Sequence, residues 1–154
     1  MTLTVTTPAF TPNGRIPNRF TRDGANVSPP LEWQGAPEGT RSYAIVVEDP
    51  DAPSGTFRHW AAYNIPADTR RLDEGAGSHQ TRPVLSMAVN DFGNTHYDGP
   101  QPPPGHGTHH YHFRVFALDV PQLALPRNCA AEDVLRAALP HALAEGDIVG
   151  TYER

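Results

Sequence analysis

Proline locks one backbone dihedral and lacks an amide hydrogen, and this chain places 17 prolines and 13 glycines among its 154 residues. Punctuation that dense leaves little room for long helices and demands many turns, so the chain is expected to be mainly β with extensive loops. Its length suits one domain, residues 1–154, with one sizeable core. Hydrophobic residues at 38% against charged residues at 19% supply the apolar surface for that core.

Residues 3–7 (LTVTT) alternate apolar and polar with β-branched side chains, predicting a first strand stopped by Pro8. Residues 11–42 read as a loop interrupted by Pro12, Pro17, Pro29, Pro30 and Pro37, with Leu31 and Trp33 available to dock an extended arm on the core. The nearly unbroken apolar run 43–48 (YAIVVE) predicts a strand buried on both faces and ended by the turn Asp49-Pro50-Asp51-Ala52-Pro53. A second strand over 57–65 can pair with it, and a shorter one covers 84–89. Alternation over 109–119 puts His109, Tyr111, Phe113 and Val115 on one face and His110, His112 and Arg114 on the other. The one helical signal spans 131–145, interrupted at Pro140 and stopped at Gly146, before a final strand over 148–152.

A net charge of -5 provides no positive field, which makes nucleic acid and anionic membrane surfaces poor partners. Residues 1–10 carry neither an export signal nor a run that spans a bilayer. The single Cys129 forms no internal disulfide and would be a liability in an oxidising compartment, so a cytoplasmic location is expected.

Three groupings can carry chemistry. In the first, Asp49 and Asp51 sit in a proline-fixed turn followed by His59; short carboxylates can orient imidazoles, leaving the other ring nitrogen to meet an anion. In the second, a stiff loop from Gly99 through Pro103 to Gly105 leads into His109 and Tyr111 on one side of a strand, a donor arrangement that suits phosphate or sulfate. The third is the density of histidines at 96, 106, 109, 110 and 112. It predicts no metal site, because His110 and His112 share a face without a third ligand. Taken singly, each grouping is better explained structurally, as turn, loop or packed polar residue. No nucleophile elbow, zinc-protease helix, Walker loop or dinucleotide fingerprint is present, and nothing places a base beside Cys129.

In order and spacing, Asn26-Val-Ser-Pro-Pro-Leu-Glu-Trp33, Asp49-Pro-Asp-Ala-Pro53, His59-Trp60, Asn64-Ile-Pro66, Asn90-Asp-Phe-Gly93, Gly99 to Pro103, His109-His-Tyr111 and Gly150-Thr-Tyr152 resemble the phosphatidylethanolamine-binding protein family, also called Raf kinase inhibitor-like, in its short bacterial branch. The resemblance covers nearly the whole chain. It implies an antiparallel β-sandwich with Greek-key character, one or two short C-terminal helices, and a small pocket at one end for phosphate, sulfate, acetate or a phosphoryl head group. Carried over by position, Asp49, Asp51, His59, His109 and Tyr111 are its polar groups, Phe57 an aromatic wall, and Gly99 and Pro103 its loop wall. The family's His-Arg-Tyr reads His109-His110-Tyr111 here, and a lysine usual in the proline loop is Pro104, so two cations near the pocket are lost.

The function expected from this is recognition without turnover: His59 or His109, Tyr111 and loop amides donate to the anion, while Asp49 holds the imidazoles. No cofactor is expected. Relatives imply a regulatory or protein-interaction role, as an inhibitor of a kinase or protease, and allow a homodimer. The rival is a hydrolase or isomerase using the histidines and aspartates as acid and base.

Overall fold

A computed structural model describes residues 2–78 and 85–154 of the protein. Two antiparallel sheets pack together. The larger runs in the order β6 (Ser86–Met87), β4 (Phe57–Pro66), β3 (Ser42–Asp49), β7 (His109–Leu118) and β8 (Ala142–Tyr152). The smaller runs β1 (Thr4–Thr6), β2 (Leu31–Gln34) and β5 (Arg71–Leu72). One short helix, α1 (Ala131–Ala138), precedes β8. Among the described residues no helix is long and apolar enough to cross a membrane.

The central strand β3 is buried on both faces, as its apolar run predicts. Tyr43, Ile45 and Val47 join Val5, Leu31 and Trp33 between the sheets. Ala44 and Val46 face the other way, toward Phe116, Leu118 and the Val134 and Ala138 side of α1. The small side chains of Ala44 and Ala61 let that helix lie close against the sheet.

Three sequence expectations change. Residues 11–42 are not all loop: β2 pairs with β1 and β5, and the same alternation that let Leu31 and Trp33 dock makes Glu32 and Gln34 point to solvent. The helix does not reach residue 145. Pro140 can sit only in the first turn of a one-turn 3-10 segment, Leu139–His141, and Ala142 already pairs with Leu118, so residues 142–145 are strand. Gly146 consequently stops no helix; it lies opposite Val115, and a Cβ there would come 2.1 Å from the Leu3 carbonyl oxygen. The strand expected over 84–89 narrows to Ser86–Met87, with Val84 outside the described residues.

Because its neighbours are antiparallel, the C-terminal end of β3, the starts of β4 and β7 and the end of β8 meet at one edge of the large sheet. The acidic turn, His59, His109 and Tyr111 all lie at that edge.

Candidate ligand-binding cavity

Asp49 is the last residue of β3 and is only 3% exposed. A buried carboxylate needs donors: the Asp51 amide donates to Oδ1 at 2.8 Å, His109 Nδ1 donates to Oδ2 at 2.6 Å, and the Tyr111 hydroxyl also hydrogen-bonds to this carboxylate. His109 is itself buried on the inward face of β7, as strand alternation predicts. Its other nitrogen, Nε2, lies 2.6 Å from Nδ1 of His106. With His109 Nδ1–H committed to the carboxylate, neutral His109 has a lone pair at Nε2 and accepts from His106 Nδ1–H. A chain of hydrogen bonds therefore runs from the buried acid to a solvent-exposed imidazole. Gly105 and Gly107, at φ +73 and +97, turn the loop that brings His106 there.

His59 reaches the cavity through an irregularity. Val47 pairs with Trp60, but Glu48 pairs with Arg58, so His59 is an extra residue in β4, a β-bulge. Past the bulge the parity of the strand changes, so Trp60, next to His59, joins Ala62 in the core between the sheets. His59 Nδ1 sits 2.9 Å from the Asp98 carbonyl oxygen and 3.1 Å from that of Gly99. Carbonyls only accept, so Nδ1 carries the hydrogen and Nε2 is left for the cavity. Burial pushes the His59 imidazole below its ordinary pKa, against the opposing pull of the Asp98 carbonyl and the Asp49 charge.

Those carbonyls are held by a buried polar network. Asn90 Nδ2 donates to the His59 carbonyl at 3.0 Å and to Asp98 Oδ2 at 2.8 Å, Asn94 Nδ2 donates to the same oxygen at 2.9 Å, and Asn26 Nδ2 donates to Asp98 Oδ1 at 2.9 Å. Burial alone would raise the Asp98 carboxyl, but the donors Asn94, Asn90 and Asn26 hold it below the usual range. The Gly99 amide donates to Asn26 Oδ1 at 2.7 Å. A Cβ on Gly99 would stand 2.1 Å from the Phe20 carbonyl oxygen, which is why glycine sits there.

Tyr111 completes the polar side. Burial, then the charge of Asp49, raises its phenol well above the ordinary value, so it keeps its proton. Together these groups and a set of apolar side chains enclose a cavity of about 240 Å³. Of the residues singled out in the sequence, Asp49, Phe57, His59, Pro103, His109 and Tyr111 line it. Asp51 and Gly99 do not. The Asp51 carboxylate faces away and accepts from the His110 amide at 2.9 Å and ring at 2.8 Å, and the His110 hydrogen bond holds its carboxyl below the usual range. Gly99 serves from behind, through its carbonyl.

The sequence reading missed Phe92, Gln101 and Pro102 as wall residues and His106 as a partner of His109. Phe92 stands in the Asn90-Asp-Phe-Gly93 motif, but only the fold brings that turn over Phe57, at 4.7 Å between ring centroids. The histidine density did contain His106; it reads as a ligand cluster until the loop's path is known.

The family profile described as phosphatidylethanolamine-binding protein matches residues 6–153. A protein named UPF0098 from Methanothermobacter thermautotrophicus is 44% identical over 149 residues, covering 96% of this chain and 97% of that one. A protein of the same name from Aquifex aeolicus is 42% identical over 146 residues, covering 95% and 85%. The crystal structure of Escherichia coli YbcL, described as a new member of the mammalian PEBP family, superposes with a TM-score of 0.92 at 31% identity over 100% of this chain and 99% of that one.

Proposed function

The chain belongs to the phosphatidylethanolamine-binding protein family, and we propose that its cavity binds a small oxyacid anion, a phosphoryl head group, phosphate, sulfate or acetate, together with one proton and returns it unreacted. The observation that carries this reading is the tautomer of His59. With Nδ1–H fixed on two carbonyls, neutral His59 offers the cavity a lone pair. His109 is no better placed as a donor, because Asp49 and His106 occupy both of its nitrogens. An anion therefore gains a histidine hydrogen bond only if a proton arrives with it, either on His59 Nε2 or on the ligand's own oxygen.

Affinity accordingly falls as pH rises above the folded pKa of His59, which burial holds below the ordinary histidine value of about 6.5. Sulfate, which does not titrate near neutrality, isolates the protein's own proton. Calorimetric titration in buffers of different ionisation enthalpy is expected to register uptake of a proton per sulfate bound; affinity that stays flat from acid to mildly basic pH would overturn the reading.

The Asp49–His109 hydrogen bond also resembles the carboxylate–imidazole pair of acid–base enzymes. Against that reading, the outer nitrogen of His109 meets His106 rather than a nucleophile. Turnover of an ester or phosphoester abolished by both Asp49→Ala and His59→Ala would favour the enzyme. A regulatory role, in which ligand occupancy governs docking of a partner protein, is tested by pull-down in competition with phosphate. Cytoplasmic residence rests on the lone thiol, yet Cys129 is buried and so shielded from oxidants, and a mycobacterial relative is named a lipoprotein. Cell fractionation tests it.

A further inference from the structure

We infer that Asp23 is a positioning residue for the loop that walls the cavity: it seats Arg154, and the two form a clasp that opens before a ligand enters or leaves. This rests on the anion reading above and adds how the same site is controlled. The loop from Pro100 to Gly105 contains Pro100, Pro102, Pro103 and Pro104, which have no amide hydrogen, so it is tied down by groups that reach it from elsewhere. The Arg22 amide donates to the Pro100 carbonyl at 3.0 Å. Farther along, the ties to Pro102 and Gly105 both come from one residue. Arg154 accepts from the Gly105 amide at 2.9 Å through its carbonyl, and its Nη1 reaches the Pro102 carbonyl at 3.5 Å. The next anchor is the His106 contact with His109.

Arg154 lies past the end of β8 and has no strand pairing of its own, so its position needs another cause. Asp23 supplies it. Asp23 Oδ2 accepts the Tyr152 hydroxyl at 2.8 Å and lies 3.3 Å from Arg154 Nε, so one carboxylate oxygen holds both residues. The turn that carries Asp23 is itself fixed: its amide donates to Thr21 Oγ1 at 3.2 Å, and Thr21 is fully buried. The pair with Arg154 is different in kind. At 27% and 33% exposure the two side chains are within reach of water and salt, which makes this the tie that yields first. Asp23, Tyr152 and Arg154 do not line the cavity, so loosening the clasp changes the rate of passage and leaves the contacts of a bound anion as they are.

Hydrogen exchange on the free protein and phosphorus NMR with inorganic phosphate test this together. The variants are Asp23→Asn, which keeps an acceptor for Tyr152 and removes the charge, and Arg154→Gln. Each should raise exchange at the Gly105 amide about threefold to fivefold and the double variant no further, with β3 amides unchanged to show an intact fold. Phosphate association and release should both quicken by about that factor, leaving affinity within about twofold. Sodium chloride should speed Gly105 exchange in the wild-type protein and not in Asp23→Asn. Unchanged Gly105 exchange in both variants overturns the clasp. Faster exchange with an unchanged release rate, or with affinity lost beyond twofold, overturns its control of the cavity. Absence of phosphate binding in the wild-type protein overturns the anion reading and the control of ligand passage with it, a failure told apart by Gly105 exchange that still responds to the variants.

Discussion

His106 Nδ1 and His109 Nε2 lie 2.6 Å apart, and since His109 already donates to Asp49, the exposed histidine must be the donor of the pair when His109 is neutral. His106→Ala is therefore expected to release the inner nitrogen and leave its lone pair to water or ligand. Nitrogen NMR of the imidazoles would show the change as a shift of His109 Nε2 with little change at Nδ1. Identical His109 resonances in the variant would mean the contact does not persist in solution.

Asp49→Ala removes the acceptor shared by the Asp51 amide and the His109 ring. Leaving the buried Nδ1–H without a partner should cost about 2–3 kcal/mol, read as a lower urea midpoint with unchanged slope. Asp51→Ala, whose carboxylate is 41% exposed, should have a much smaller effect on that midpoint.

The pH dependence of stability carries a signature of His59. Its folded pKa lies below the ordinary 6.5, so below 6.5 the unfolded chain takes up a proton that the folded chain resists. Stability is thus fully present above 6.5 and declines as pH falls from there toward the folded value. His59→Gln, which can still donate to the two carbonyls, should flatten this part of the denaturation profile. Asp51 and Asp98, both lowered from 3.8, add their losses only in more acid solution, as pH falls below that value.

Gly99→Ala tests how the cavity is held from behind. Its Cβ would stand 2.1 Å from a backbone oxygen, so the backbone must move, at about 1–3 kcal/mol. The same shift displaces the carbonyl that fixes His59, so sulfate affinity should fall along with the thermal midpoint. Gly55, whose Cβ would meet nothing within 4 Å, is not in that network but stands at φ +109, so Gly55→Asn should lower the thermal midpoint through backbone strain without the matching loss of sulfate affinity.

Much of the site can be read in the sequence because β7 is regular. Its alternation is unbroken from His109 to Val115, so His109 and Tyr111 fall on the inward face with Phe113 and Val115. β4 is less legible: the bulge at His59 adds an inward residue that no count by two predicts, and Trp60 is the result. Residues 142–145, Ala-Leu-Ala-Glu, have helix-forming side chains, but pairing with Leu118, Ala117 and Phe116 outweighs that local preference. Phe92 and His106 lie on turns whose paths are set by contacts far along the chain, such as Asp91 N–H to the Arg58 carbonyl and Gly105 N–H to the Arg154 carbonyl. Asp51 was misplaced for a related reason: a turn residue's direction depends on which partner captures it, here His110.

The doubly buried central strand has a consequence for how the cavity is reached. Asp49 ends β3, whose amides are locked between β4 and β7, whereas Gln101, Pro102 and Pro103 belong to a stretch without strand pairing. Deuterium should enter the amides of Gln101 and of residues 105–108 through small local openings, while those of β3 wait for the whole protein to unfold. Ligand exchange can then proceed at the frequency of the loop's own fluctuations, with the acid and its imidazoles kept in register throughout.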